Sequence, residues 1–162
     1  MKKWIVIVLT ALMLTGCAAR ETMETVADEW VRSAAAPVAE LHLTLPEEAA
    51  APVSESENGA LYQCDGYEIY VQTLESGDLD ATLRLVTGYG REDLTLIETR
   101  ISGGKRWDLV WSCMGEAGDQ VGRACVLDDG NYHYVLAVLA EAERAMEFES
   151  AWEELFGGYS LG

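Results

Sequence analysis

RWDLVWSCMGEAGDQVGRACVLDDGNYHYVLAVLA, residues 106–140, is the stretch whose reading decides the fold. Trp107, Leu109, Trp111 and Cys113 fall at every second position, with Arg106, Asp108 and Ser112 among the residues between them. Successive side chains of an extended chain point to opposite sides, so this spacing predicts a strand over 106–114 with one apolar face. Gln120 to Leu127 and Tyr132 to Ala140 read as the next two strands. Between them lies Asp128-Asp129-Gly130-Asn131, the residue types that turns use. Strands joined by such short connections fold back antiparallel, because a parallel return needs a dozen residues or more.

Upstream, Leu94 to Ser102 is a further strand, turned by Gly103-Gly104. Before it the period changes. Asp78 is a good N-cap, Leu79, Leu83 and Val86 share one helical face, and Gly88 and Gly90 close the helix. Leu61 to Cys64 and Tyr67 to Leu74 form a hairpin about Asp65-Gly66. Leu41, Leu43 and Leu45 alternate with His42 and Thr44 as a strand that Pro46 ends, and Ala49 to Gly59 is a polar loop. At the other end, residues 141–156 predict a helix with Ala145, Phe148, Trp152 and Leu155 as its apolar stripe, and Tyr159-Ser160-Leu161 a final short strand. The sum is an α+β fold: an antiparallel meander sheet of about six strands with two helices packed on one of its faces.

This order, with the strand Leu41-x-Leu43-x-Leu45-Pro46 and a terminal helix ending Trp152-x-x-Leu155-Phe156, resembles the Mog1/PsbP-like superfamily over about residues 38–162. The resemblance implies a sandwich of sheet and helices. It also implies mostly non-enzymatic work, binding partner proteins or assisting assembly, and it transfers no functional residue. Cystatin-like and lipocalin-like sheets are the competing architectures.

The N-terminus carries a different kind of information. Lys2 and Lys3 precede the apolar run Trp4 to Leu14, which is too short to span a bilayer as a helix. Leu14-Thr15-Gly16-Cys17 then resembles the lipobox of bacterial lipoproteins. That resemblance implies a diacylglycerol thioether on the Cys17 sulfur and cleavage just before it. The predicted organisation is a signal peptide over 1–16, an acidic tether over 17–36 and a single α+β domain over 37–162. The predicted location is the extracytoplasmic face of the cell membrane, held there by the Cys17 lipid anchor.

Removal of residues 1–16 takes away Lys2 and Lys3 from 11 basic residues, leaving 9 against 28 acidic, a net charge of −19. So acidic a body lacks the Lys and Arg clusters that neutralise phosphates, which excludes nucleic acid as a partner. Besides Cys17 there are three cysteines, Cys64, Cys113 and Cys125. Outside the cytoplasm thiols can pair, and Cys113 and Cys125 flank a predicted hairpin, which makes them the candidate disulfide. The alternative is that all three stay reduced and pack as small apolar residues.

Chemistry is sparse. His42 and His133 have no metal-ligand spacing, and no cofactor motif occurs. Asp128 and Asp129 are the weak candidates for a hard cation, although a plain turn accounts for both. Trp107 and Trp111 share one strand face and Tyr132 and Tyr134 another, so a set that faces solvent offers a binding surface for a sugar or a protein. Alternatively Trp107 and Trp111 pack beneath the terminal helix, against Phe148 and Trp152. The reading is a membrane-anchored, non-enzymatic binding or accessory module whose partner is an envelope protein or glycan. The rival is a small extracytoplasmic hydrolase using carboxylate or histidine chemistry, which predicts His133 bonded to a carboxylate inside a pocket.

Overall fold

Strand β8, Tyr132–Glu141, is buried almost from end to end. An apolar run with no alternation fits a strand only where both of its faces are covered. β8 lies between β4, Tyr67–Glu75, and β7, Gly118–Asp128, at the centre of a seven-stranded sheet. Beyond β7 come β6, Gly104–Gly115, and β5, Leu96–Ile101. Beyond β4 come β3, Gly59–Gln63, and β2, Ser54–Ser56. Every pairing is antiparallel. A separate two-stranded sheet joins β1, Leu41–His42, to β9, Ser160–Leu161. The computed structural model describes residues 36–115 and 118–162, and residues 38–162 form one compact unit. The predicted signal segment, Cys17 and the predicted tether as far as residue 35 lie outside the described residues.

Helix α1, Leu79–Thr87, carries the chain across one sheet face from central β4 to edge strand β5. Its ends follow the sequence reading: the Asp78 carboxylate accepts from the Asp80 N–H, and Gly88 takes φ +81° to let its N–H reach the Arg84 carbonyl. Leu83 packs on Trp107, Leu109, Trp111, Ala124, Val126, Val135 and Ala137, the α1-side core. Helix α2, Glu149–Gly157, lies on the other face. There the Phe148 ring sits 4.9 Å from that of Tyr67, and Arg106 donates to the Phe156 and Tyr159 carbonyls. Strand register separates the faces. Trp107 pairs Val126 and Leu109 pairs Ala124 on the α1 side, while Arg106 pairs Leu127 and Asp108 pairs Cys125 on the α2 side.

Several expectations are corrected. The main sheet has seven strands rather than about six, because polar Ser54-Glu55-Ser56, read as loop, pairs with β3. The sheet is not one meander: two hairpin runs meet where β4 pairs β8. The two helices take opposite faces, which is why β8 needs apolar residues on both. The first strand stops at His42 and a 3-10 turn follows at Glu47–Ala49. The terminal helix begins at Glu149, since β8 continues to Glu141 and Ala142 donates to the Asp119 carbonyl. A 3-10 turn at Ala145–Phe148 fills the gap.

Candidate functional site

The α1 face is not fully covered. Between α1 and the β3–β4 side of the sheet runs an open groove of about 250 Å³. Leu61, Tyr70 and Leu139 line it from the sheet, Leu85 and Val86 from the helix, and Trp111 from β6. Local sequence explains the placement. Tyr70 and Leu61 are cross-strand partners, and Tyr70 pairs Ala137 on its other side, so all three share one face. Trp111 reaches the groove because its cross-strand partner is Gly122, which presents no side chain to push the indole away. The Tyr70 hydroxyl donates to Gln72 Oε1, and burial pushes that phenol above its ordinary pKa. Leu85 is 60% exposed, so the groove has an apolar rim open to solvent.

The four aromatic candidates are thus divided. Trp107 is only 4% exposed, with its indole N–H on Glu98 Oε2 at 3.0 Å, and it offers no platform. Trp111 contributes a wall of the groove while staying 8% exposed. Both pack beneath α1, not beneath the terminal helix, because odd positions of β6 face α1. Tyr132 and Tyr134 lie on the opposite face, also buried. The Tyr134 hydroxyl accepts from the Ala39 N–H and donates to Asp129 Oδ2, both at 2.8 Å, which ties the start of the domain to the β7–β8 turn. A wider, more open depression of about 380 Å³ on the α2 face, lined by Val110, Met146 and Trp152 among others, uses none of the aromatic candidates.

The fold resembles that of a cell-envelope protein. It matches the crystal structure of LpqN, described as involved in cell envelope biogenesis of Mycobacterium tuberculosis, with a TM-score of 0.51 and 12% identity. The match covers 80% of this chain and 87% of LpqN. A Pseudomonas aeruginosa protein of unknown function aligns less well, with a TM-score of 0.43, 13% identity and coverage of 75% and 82%. No protein-family model matches the sequence, and no curated protein does. LpqN therefore supports the arrangement of sheet and helices, and its residues assign no role here.

Among the described residues no two cysteines pair. Cys64, Cys113 and Cys125 are free thiols. Cys113 stands opposite Gln120 and Cys125 opposite Asp108, five rungs apart on the ladder and on different faces of the sheet. Five rungs are about 16 Å, far beyond disulfide reach. Burial pushes the Cys64 thiol up and Cys125 up to about 12, the opposite of an activated nucleophile.

His133 is the one buried histidine, and it does not meet the requirement of the hydrolase reading. Its Nδ1 lies 2.7 Å from Thr82 Oγ1 of α1, its Nε2 3.3 Å from Ser76 Oγ and 4.0 Å from Asp128 Oδ1. The Asp128 carboxylate can only accept, so Ser76, 3.1 Å away, donates to it. Ser76 then accepts from His133 Nε2–H, and Nδ1 accepts from Thr82. In this chain the serine proton points at the carboxylate instead of the imidazole, the reverse of what a nucleophilic serine needs. No pocket opens onto it among the sites described above. The network fastens α1 and the β7–β8 turn to β8.

Asp128 and Asp129 serve that turn. Asp128 accepts from the Gly130 N–H, and Asp129 accepts from the Asn131 and Tyr132 N–H groups and from Tyr134. Both Asp129 oxygens and Asp128 Oδ1 accept hydrogen bonds of the turn, and among the described residues no cluster of His, Cys, Asp and Glu is placed to hold a metal. No helix among the described residues is long and apolar enough to cross a membrane.

Proposed function

We propose that the chain is a lipid-anchored accessory module of the bacterial cell envelope, acylated at Cys17 and displayed on the extracytoplasmic side. It acts without catalysis, and its groove beside α1 accepts apolar side chains of an envelope protein. The observation that carries this reading is the groove itself, with Tyr70, Trp111, Leu61 and Leu139 under a solvent-facing Leu85. At about 250 Å³ and open along one side, it falls below the usual size of an enclosed small-molecule site. It suits one or two inserted side chains. Apart from the Glu68 carboxylate and the Tyr70 hydroxyl its lining is apolar, which favours a protein side chain over a sugar. The likeness to LpqN supports an envelope setting, and the Mog1/PsbP-like resemblance of the sequence supports a partner-binding role.

Two measurements test it. Mass spectrometry of the membrane fraction is expected to find a diacylated N-terminus at Cys17, and Cys17→Ser to leave an unprocessed precursor. Affinity capture from envelope extract compares the native chain with Leu85→Asp, a change at an exposed position that leaves the core intact. Burying a leucine is worth roughly 1.5–3 kcal/mol, so the variant is expected to lose about tenfold or more of its partner. Equal capture by both proteins would remove the groove from the function.

A further inference from the structure

Edge strand β5 reads Leu96-Ile97-Glu98-Thr99-Arg100-Ile101, and about Thr99 it is a chemical palindrome. Ile97 mirrors Ile101, and Glu98 mirrors Arg100. β5 is the last strand on its side of the sheet, and Ile97 to Arg100 are all exposed, Ile97 by 65%. The opposite edge, β2, is three residues long, and short edges are a usual protection against pairing. β5 has six residues and no proline, and among the described residues no strand bonds the outer row of its backbone N–H and C=O groups.

We propose that β5 is a self-association edge, pairing antiparallel with β5 of a second copy so that Thr99 lies on the two-fold axis. In that register Ile97 of one copy faces Ile101 of the other, and Glu98 faces Arg100 twice over. Opposite charges placed directly across an antiparallel pair stabilise it, and like charges oppose it. The monomer itself asks for such a neighbour. Across the β5–β6 ladder Arg100 stands opposite Lys105, a like-charged pair. Lys105 is bridged to Glu98 at 3.8 Å, whereas Arg100 has no carboxylate partner among the described residues. A second copy supplies one. A parallel or one-residue-shifted pairing loses both charge matches, so the sequence selects a single closed arrangement. Closure on a two-fold axis consumes the long edge of the seven-stranded sheet and leaves short β2 as its other edge, which makes dimers rather than fibres. This inference does not depend on the groove or on the identity of any partner.

The test uses the full-length chain in mild detergent, followed by sedimentation velocity over a range of concentrations. The native chain is expected to show a concentration-dependent dimer. Arg100→Glu places carboxylate opposite carboxylate and is expected to weaken association about tenfold or more. Glu98→Lys alone is likewise expected to stay monomeric, yet an equimolar mixture of the two variants restores both ion pairs and dimerises. Because Glu98 also accepts the Trp107 indole N–H, a thermal melt checks that the Glu98→Lys protein is folded. Should it fail to fold, Thr99→Cys decides: oxidation is expected to give a covalent dimer above the background of the native cysteines. A native chain that stays monomeric up to about 1 mM overturns the proposal. So does cross-linking through Glu98→Cys in place of Thr99→Cys.

Discussion

Gly122 lies directly under the indole of Trp111: a Cβ built on Gly122 would come within 2.3 Å of the ring. The backbone of β7 thus serves as the floor on which the groove's aromatic wall rests. Gly122→Ala is expected to displace Trp111 and destabilise the domain by about 1–3 kcal/mol, the usual cost of overpacking. Urea unfolding measures the loss. A variant with unchanged stability would mean that the indole has room the register does not show.

His133 gives the domain a pH dependence with a definite sign. Burial holds its pKa below the ordinary value, against the opposing influence of Asp128, Asp129 and Asp78. The unfolded chain, near pKa 6.5, therefore binds the proton more readily than the folded one. The stability from keeping His133 neutral is full above about pH 7 and declines as pH falls through about 6.5 towards the depressed folded value. His133→Gln is expected to flatten the stability curve between about pH 5 and 7. A native chain whose melting temperature rises on acidification through that window contradicts the assignment.

Arg106 fastens the C-terminal segment to the sheet. Its guanidinium makes a two-pronged pair with Asp108 at 2.8 Å and donates to the Phe156 and Tyr159 carbonyls at 3.2 and 3.1 Å. Removing one partner of a fully buried pair costs about 3–5 kcal/mol. Arg106 and Asp108 retain 20% and 25% side-chain exposure, so Arg106→Met is expected to cost less, about 2–3 kcal/mol. The amides of Gly158 to Leu161 are expected to lose hydrogen-exchange protection ahead of β8.

Thiol labelling separates the three cysteines of the folded unit. Cys113, partly exposed, is expected to react first with a neutral-pH alkylating reagent. Cys64 follows slowly, and Cys125 reacts only on unfolding, being fully buried with its thiol pushed up to about 12. Peptide mapping under non-reducing conditions is expected to recover Cys113 and Cys125 separately. A Cys113–Cys125 bridged peptide would require a ladder shifted from the one described.

Much of the fold was legible where a local rule acts alone. The Asp78 cap and Gly88 stop of α1, the Asp65-Gly66 hairpin and the alternation of β6 all appear where the spacing placed them. Failures came where tertiary pairing overrode local preference. Ser54-Glu55-Ser56 has no apolar period, and it is a strand only because β3 offers it a ladder. The stripe from Ala145 to Leu155 suits a helix, yet β8 runs on to Glu141, Ala142 bonds to Asp119, and Ala145 to Phe148 form a 3-10 turn before the α-helix starts at Glu149. For the candidate site, Trp111 was found from its spacing, whereas Leu61, Tyr70 and Leu85 were missed. Nothing in their local sequence records that they converge.

The sequence by itself determined which residues alternate, cap and turn, because those properties follow from two backbone periods and the reach of one side chain. Tertiary structure alone decided that the helices take opposite faces, that Cys113 and Cys125 look away from each other, and that Trp111 borders an open groove while Trp107 does not. Each of those outcomes depends on which strand lies beside which. Register is a relation between segments far apart in the chain, and a shift of one residue would send every side chain to the other face.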